Sequence, residues 1–198
     1  MAQKGPSKTQ KSISVENARF LKRKKNTWTI RTSPGAHSKN TSVPLGFVCR
    51  DLLGLGESMF ETKKILNAKN VLVNGVARSD QKFAVGLFDV IELLLENKRF
   101  RIVFDNNGRL VLSEIKNKGS VEKISKILFK KMVKGGLVQL TTNDGFVFRE
   151  KKSDYKPGDS LKISLPQKKI LGGFELKTGK TVYLINGENK VGKIGKVT

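Results

Sequence analysis

The sequence predicts an α+β fold in which two short helices come early and strands dominate everything after residue 95. Apolar residues recur at helical spacing from Pro44 to Asn67, and β-branched runs meeting glycine turns follow them. Charge divides the chain as well. Residues 1–40 hold ten basic residues against Glu16 alone, residues 41–95 hold six of each sign, and the remainder holds 23 basic against 10 acidic. The expected order is a basic N-terminal arm over 1–40, a small folded α/β module over 41–95, an all-β domain over 96–180 and a terminal segment over 181–198.

A formal charge of +22 on 198 residues repels itself, yet 37% hydrophobic residues are enough for one or two small cores. A polyanionic partner is implied. Membrane is the poorer choice, because no run approaches the roughly 18 apolar residues of a span, and Val85 to Leu95 is broken by Asp89 and Glu92. Nucleic acid remains. The N-terminus lacks the apolar run of a secretory signal, so a retained N-terminus and a cytosolic chain are expected. Cys49 is the single cysteine and His37 the single histidine, which excludes an internal disulfide and a zinc cluster. No cofactor is expected.

Within the arm, Arg19-Phe20-Leu21-Lys22-Arg23-Lys24-Lys25 precedes Trp28, Ile30 and Arg31, then Ser33-Pro34-Gly35-Ala36-His37. These cations suit phosphate neutralisation, with a solvated tail as the plainer reading. Trp28 either stacks on an unpaired base or packs on the next domain.

The module is read element by element. Pro44 opens a helix whose Leu45, Val48, Cys49 and Leu52 form one apolar face, and Gly54 and Gly56 end it. Cys49 therefore belongs to the core. Ser58-Met59-Phe60-Glu61 is a capping box announcing a second helix to about Asn67, with Ile65 and Leu66 on one side and Lys63 and Lys64 on the other. Val71-Leu72-Val73 then runs into Asn74-Gly75, a pair that supports a hairpin turn, and Asp89 to Leu93 supplies a further strand.

Beyond the module, Phe100, Ile102 and Phe104 alternate ahead of Asn106-Asn107-Gly108, and Leu110-Val111-Leu112 returns. Turns at Lys134-Gly135-Gly136, Asn143-Asp144-Gly145, Pro157-Gly158-Asp159 and Lys177-Thr178-Gly179 separate short apolar segments, as in a small sandwich or barrel. Lys116 to Lys131 fits either a helix, through Val121, Ile124, Ser125 and Leu128, or a strand, through Ile124, Ile127 and Phe129. Gly187-Glu188-Asn189-Lys190-Val191-Gly192-Lys193-Ile194 imitates a nucleotide-binding loop but ends on Ile194, which has no hydroxyl for magnesium, and too little chain follows to build the helix that holds phosphate.

The run from Thr62 to Val76, ending in Gly86-Leu87-Phe88-Asp89-Val90-Ile91, resembles the small RNA-binding module shared by the fourth bacterial small-subunit ribosomal protein, pseudouridine synthases and tyrosyl-tRNA synthetases. With Ser33 to His37, Val133-Lys134-Gly135-Gly136, Asn143-Asp144-Gly145 and Gly192-Lys193-Ile194-Gly195 in the same order, residues 19–198 resemble the archaeal and eukaryotic S-four-e family of small-subunit ribosomal proteins. The final segment resembles the opening of a KOW motif, part of an SH3-like barrel, and the chain is expected to end within it. The resemblance implies a structural constituent of the small subunit, in the cytoplasm, bound to ribosomal RNA and neighbouring ribosomal proteins, with no catalysis, small-molecule substrate or membrane contact. It places Lys63, Lys64, Lys69, Asn70, Asn74, Arg78 and Lys82 of the module toward RNA. The arm adds Arg19, Lys22, Arg23, Lys24, Lys25, Trp28, Arg31 and His37, and the KOW-like end adds Lys190, Lys193 and Lys196. An assembly or elongation accessory factor is the competing reading. An RNA-modifying enzyme such as a pseudouridine synthase is a weaker one, since no constellation of acid, base and nucleophile is visible.

Overall fold

Pro44 has no amide hydrogen to lose and its extended backbone (φ −71°, ψ 140°) launches the first helix from the end of a strand. The computed structural model describes residues 9–115, 121–185, 187 and 191–198; Lys190 therefore lies outside the described residues. In chain order the elements begin with β1 (Gln10–Lys11), β2 (Trp28–Thr29), β3 (Ser42–Pro44), α1 (Leu45–Phe47) and α2 (Met59–Asn67). They continue with β4 (Val71–Val73), β5 (Val76–Ala77), β6 (Ala84–Gly86), β7 (Val90–Leu93), β8 (Lys98–Phe104) and β9 (Leu110–Glu114). The rest is β10 (Val121–Val133), β11 (Leu137–Thr142), β12 (Val147–Glu150), β13 (Ser160–Leu165), β14 (Lys169–Phe174), β15 (Thr181–Tyr183) and β16 (Ile194–Lys196). This is a mixed fold with few helices and many strands.

The first helix has its expected extent but not its expected pitch, because Val48–Leu52 widens into a π-helix closed by Leu53 N donating to Val48 O. α2 begins as its capping box requires. Ser58 Oγ accepts from the Glu61 amide at 3.2 Å, while the Glu61 carboxylate reaches back to the amide of Glu57, one residue earlier than the usual partner. Thr62 and Leu66 are buried on its inner face.

Two five-stranded antiparallel sheets carry the fold, in the orders β5-β4-β7-β8-β9 and β12-β11-β10-β13-β14. The first packs on α1 and α2 around Val43, Leu45, Phe47, Val48, Cys49, Leu66, Ile91 and Ile102. The second closes on Ile127, Leu140, Leu161 and Ile163. Val90, Val121 and Leu165 form a small apolar cluster between them. β8 and β9 pair into the first sheet, so that unit extends to Glu114, past the charge change at residue 96.

Lys116–Lys131 contains a strand over its described part, β10, and the reason lies in which residues face inward. Val121, Lys123, Ser125 and Ile127 alternate on the buried face, while Ile124 and Leu128 look outward. The apolar residues that suggested a helix straddle both faces of the strand.

The N-terminal segment is not a free arm where it is described. Val15 and Ala18 are buried, and Leu110 N donates to Ala18 O at 2.7 Å. At the other end, β15 and β16 form a hairpin that docks on the first unit. Phe104 N donates to the Tyr183 hydroxyl at 3.1 Å, and the Tyr183 and Phe88 rings lie 5.3 Å apart.

The Asn74-Gly75 turn has positive φ at both residues, 53° and 76°, as a type I′ hairpin demands. It also presses on the second sheet. A Cβ at Gly75 would lie 2.4 Å from Pro166 Cβ. Gly75→Ala should therefore lower stability by about 2–4 kcal/mol, from backbone strain and overpacking together. Gly135→Ala, where φ is positive but the space is open, should lose only about 1–2 kcal/mol. Urea denaturation of the two variants checks the contrast.

Candidate nucleic-acid interface

α2 presents its cations as its periodicity requires: with Thr62 and Leu66 inward, Lys63 and Lys64 are exposed. Lys64 Nζ sits 4.7 Å from the centre of the exposed Phe60 ring. Lys69, in the left-handed conformation just past the helix (φ 59°), is exposed, and Asn70 is half-buried with its carbonyl accepting from Leu94 N. The loop after β5 is brought beside α2 by Gln81, whose side-chain amide donates to Met59 O. Ser33 N donates to Lys82 O at 2.8 Å, which sets the half-buried Arg31 and the exposed Lys82 on neighbouring chain. Arg78 is half-buried, its guanidinium 4.6 Å from the Phe83 ring.

Lys22, Arg23, Lys24 and Lys25 are exposed, and Arg23 additionally donates to Val15 O and Asn17 Oδ1. Trp28 is 58% exposed, with Lys11 Nζ 5.9 Å from its ring, so it does not pack on the next domain. Phe20 is exposed beside Arg109. Lys193 and Lys196 are exposed on the terminal hairpin.

Three expected contacts lie inside the fold instead. Arg19 is 5% exposed, stacks 4.6 Å from Phe47 and donates to Ile30 O and Thr29 Oγ1. Burial holds its pKa down to about 10. His37 packs against Gly86, where an added Cβ would lie 2.4 Å from its ring, and its Nε2 lies 2.9 Å from Asp89 Oδ2. Asn74 uses both ends of its amide internally, donating to Asp89 Oδ1 at 2.7 Å and accepting from Val90 N at 3.0 Å. Asn74 was expected to face RNA from its position in the resemblance, and Arg19 and His37 from their place in the basic arm; neither signal shows which neighbours close over a side chain.

The group that sequence reading missed is Lys123. It is 1% exposed, on the face of β10 that meets the first sheet, with Nζ 2.5 Å from Asp89 Oδ1 and 2.6 Å from Asp144 Oδ2. Asp144 also accepts from Ser125 Oγ and Thr142 Oγ1, and Asp89 from the Gly86 amide. Burial alone raises both carboxyls, but Lys123 and the surrounding donors outweigh it and hold them below the usual range. Burial likewise opposes charge on Lys123, and the two carboxylates reverse this and raise its pKa. One signal was available: Lys123 and Ser125 share the inward parity of Val121 and Ile127, which a strand pattern makes visible once the strand is assigned.

Among the described residues no group of three His, Cys, Asp or Glu side chains is placed to hold a metal ion. No helix among them is long and apolar enough to cross a membrane.

Residues 96–170 match the model of the ribosomal family S4e. The small ribosomal subunit protein eS4 of Methanosphaera stadtmanae is 39% identical over 197 residues, covering 100% of this chain and 81% of its own. The chain belongs to the S4e ribosomal family. Small ribosomal subunit protein eS4 of Methanococcus vannielii is 37% identical over 205 residues, covering 100% of this chain and 83% of its own. The crystal structure of 30S ribosomal protein S4e from Thermoplasma acidophilum matches with a TM-score of 0.68 and 33% identity, over 80% of this chain and 81% of that one. The S4e family is one of ribosomal structural proteins, not enzymes.

For this S4e chain, Lys123→Met should lower stability by about 3–5 kcal/mol, because it leaves two buried carboxylates without their cation. The pH response should change sign. In the native protein Asp89 and Asp144 sit below their ordinary value of 3.8, so their contribution is complete above that value and fades as pH falls below it. In Lys123→Met, burial unopposed by Lys123 raises both carboxyls, and the deficit should narrow on acidification toward pH 4. Denaturation midpoints between pH 2 and pH 7 check both signs.

Cys49 is fully buried and burial pushes its thiol up to about 12. Its reaction with an aromatic disulfide reagent should be negligible in the native state and rapid in denaturant.

Proposed function

We propose that this chain is a structural constituent of the small ribosomal subunit that binds ribosomal RNA and supports translation. The carrying observation is the relationship to small ribosomal subunit protein eS4 across the whole of this chain. The exposed lysines at α2, in the loop after β5 and in the N-terminal segment support it, since Lys22, Lys24, Lys63, Lys69 and Lys82 make no ion pair among the described residues. In this reading the first sheet with α1 and α2 serves as the S-four-type RNA-binding module, the second sheet as the central β domain and the β15–β16 hairpin as the start of a KOW-like barrel. Neighbouring ribosomal proteins complete its surroundings, and the ribosome places it in the cytoplasm.

The RNA face centres on Lys63, Lys64, Lys69, Asn70 and Lys82. Lys22, Arg23, Lys24, Lys25, Trp28 and Arg31 extend it, and Lys193 and Lys196 reach RNA from the terminal hairpin. Exposed Trp28 suits stacking on an unpaired base. Arg19, His37 and Asn74 make contacts inside the fold rather than touch RNA.

With on the order of eight phosphate contacts, the logarithm of the association constant should fall against log salt with a slope of about −6 to −7. Reversing Lys63 and Lys64 to glutamate should weaken binding to small-subunit RNA at least about tenfold. Unchanged incorporation into subunits would move the interface elsewhere. Sedimentation in a high-salt sucrose gradient separates an integral component, which stays with the subunit, from an accessory factor, which dissociates.

A further inference from the structure

Where the two sheets meet, a crevice of about 60 Å³ opens beside the Lys123 network. A liquid water occupies about 30 Å³ and a drug-sized pocket starts near about 300 Å³, so the crevice admits one small group belonging to something larger. Its floor is the buried trio of Asp89, Lys123 and Asp144, and its rim carries Arg78 from the loop after β5 and Lys168 from the β13–β14 turn.

The acceptors here are already taken. Asp89 Oδ1 receives Asn74 and Lys123, and its Oδ2 receives Gly86 N and faces His37; Asp144 receives Lys123, Ser125 and Thr142. The donors are not. Arg78 Nε is buried with no hydrogen-bond acceptor, and neither Arg78 nor Lys168 has an ion-pair partner among the described residues. Arg78, Lys123 and Lys168 against Asp89 and Asp144 leave a formal excess of one positive charge among the Arg, Lys and Asp side chains of the lining. The unpaired Arg78 and Lys168 and this formal excess of positive charge favour an anionic acceptor in the crevice.

Two cation–ring stacks flank it. The Arg78 guanidinium lies 4.6 Å from the Phe83 ring, and Lys168 Nζ lies 5.0 Å from the Phe146 ring. A guanidinium held against one ring leaves its second face for a base, and its edge for a phosphate oxygen. A tetrahedral phosphate carried between stacking bases fits this arrangement better than a protein carboxylate, which supplies no base plane.

We propose that the crevice seats one backbone phosphate of an RNA strand, gripped by Arg78 from the first sheet and Lys168 from the second. The proposal rests on the RNA-binding reading given above and adds a point where one nucleotide ties the two sheets together.

The test uses the full chain, small-subunit ribosomal RNA, and a double-mutant cycle of Lys168→Asn and Arg78→Gln. Asparagine tolerates the positive φ of 56° at residue 168, and matching denaturation midpoints confirm that each variant is folded. Each single change should weaken binding about three- to tenfold and reduce the salt slope by about 0.7–0.9, the value of one phosphate. The double variant should lose less than the product of the two, because both side chains hold one group. Independent, multiplying losses, or wild-type binding by Lys168→Asn, would overturn the shared phosphate. If Lys63 and Lys64 reversal abolishes binding while Lys168→Asn does not, the RNA reading stands and this inference falls. If the unmodified chain does not bind the RNA, both fall. Carbodiimide coupling of Lys168 to a protein carboxylate in assembled subunits would replace RNA by a protein partner.

Discussion

A lysine with 1% of its surface exposed, held between carboxylates from two different sheets, sets the terms for the rest of this molecule. Buried ion pairs often add little net stability compared with apolar residues of the same shape, yet removing one partner leaves a charge in a medium that cannot solvate it. The physical effect is a constraint on arrangement. With Lys123 turned inward, the two-residue repeat of a strand forces Val121, Ser125 and Ile127 inward too, and a one-residue slip of β10 would invert all four. Asp89 is held in turn by Asn74, whose left-handed backbone makes the β4–β5 turn. Gly75 in that turn meets Pro166 at the end of β13. Turn, ion network and sheet contact are thus one device seen from three sides.

How far the sequence carried the fold depends on the reach of each signal. The Ser58–Glu61 cap, the α2 parity of Lys63 and Lys64, and the Asn74-Gly75 turn depend on neighbours within four residues, and all were legible. The His37–Asp89 and Lys123–Asp89 pairs span 52 and 34 residues, and no local pattern encodes them. β10 shows the conflict sharply. It places a lysine and a serine inward and exposes Ile124 and Leu128, so a reading that sends these apolar residues to the core gives the wrong parity.

The same limit shaped the candidate interface. Cations on the outer face of α2 and along Lys22–Lys25 stayed where composition put them, because nothing folds over them. Arg19, by contrast, is drawn onto Phe47 and the carbonyl of Ile30, which converts an apparent phosphate ligand into the anchor of the N-terminal segment. Lys168 drew no notice as one of many lysines, and only the meeting of the two sheets places it across from Arg78.

The spacing of the network along the chain has a consequence for how the protein is made. A chain emerging from its N-terminus presents Asp89, beside a five-stranded sheet whose last strand ends at Glu114, before Lys123 and Asp144 exist to join it. Until then the carboxylate is best kept hydrated, which holds a wet, polar spot beside Val90 on the surface that will later be sealed. In the finished fold the strand that covers Asp89 also carries its cation, so burial and neutralisation come from one contact. A charge exposed on the isolated first sheet works against apolar association there, and the same charge fixes the second sheet once paired.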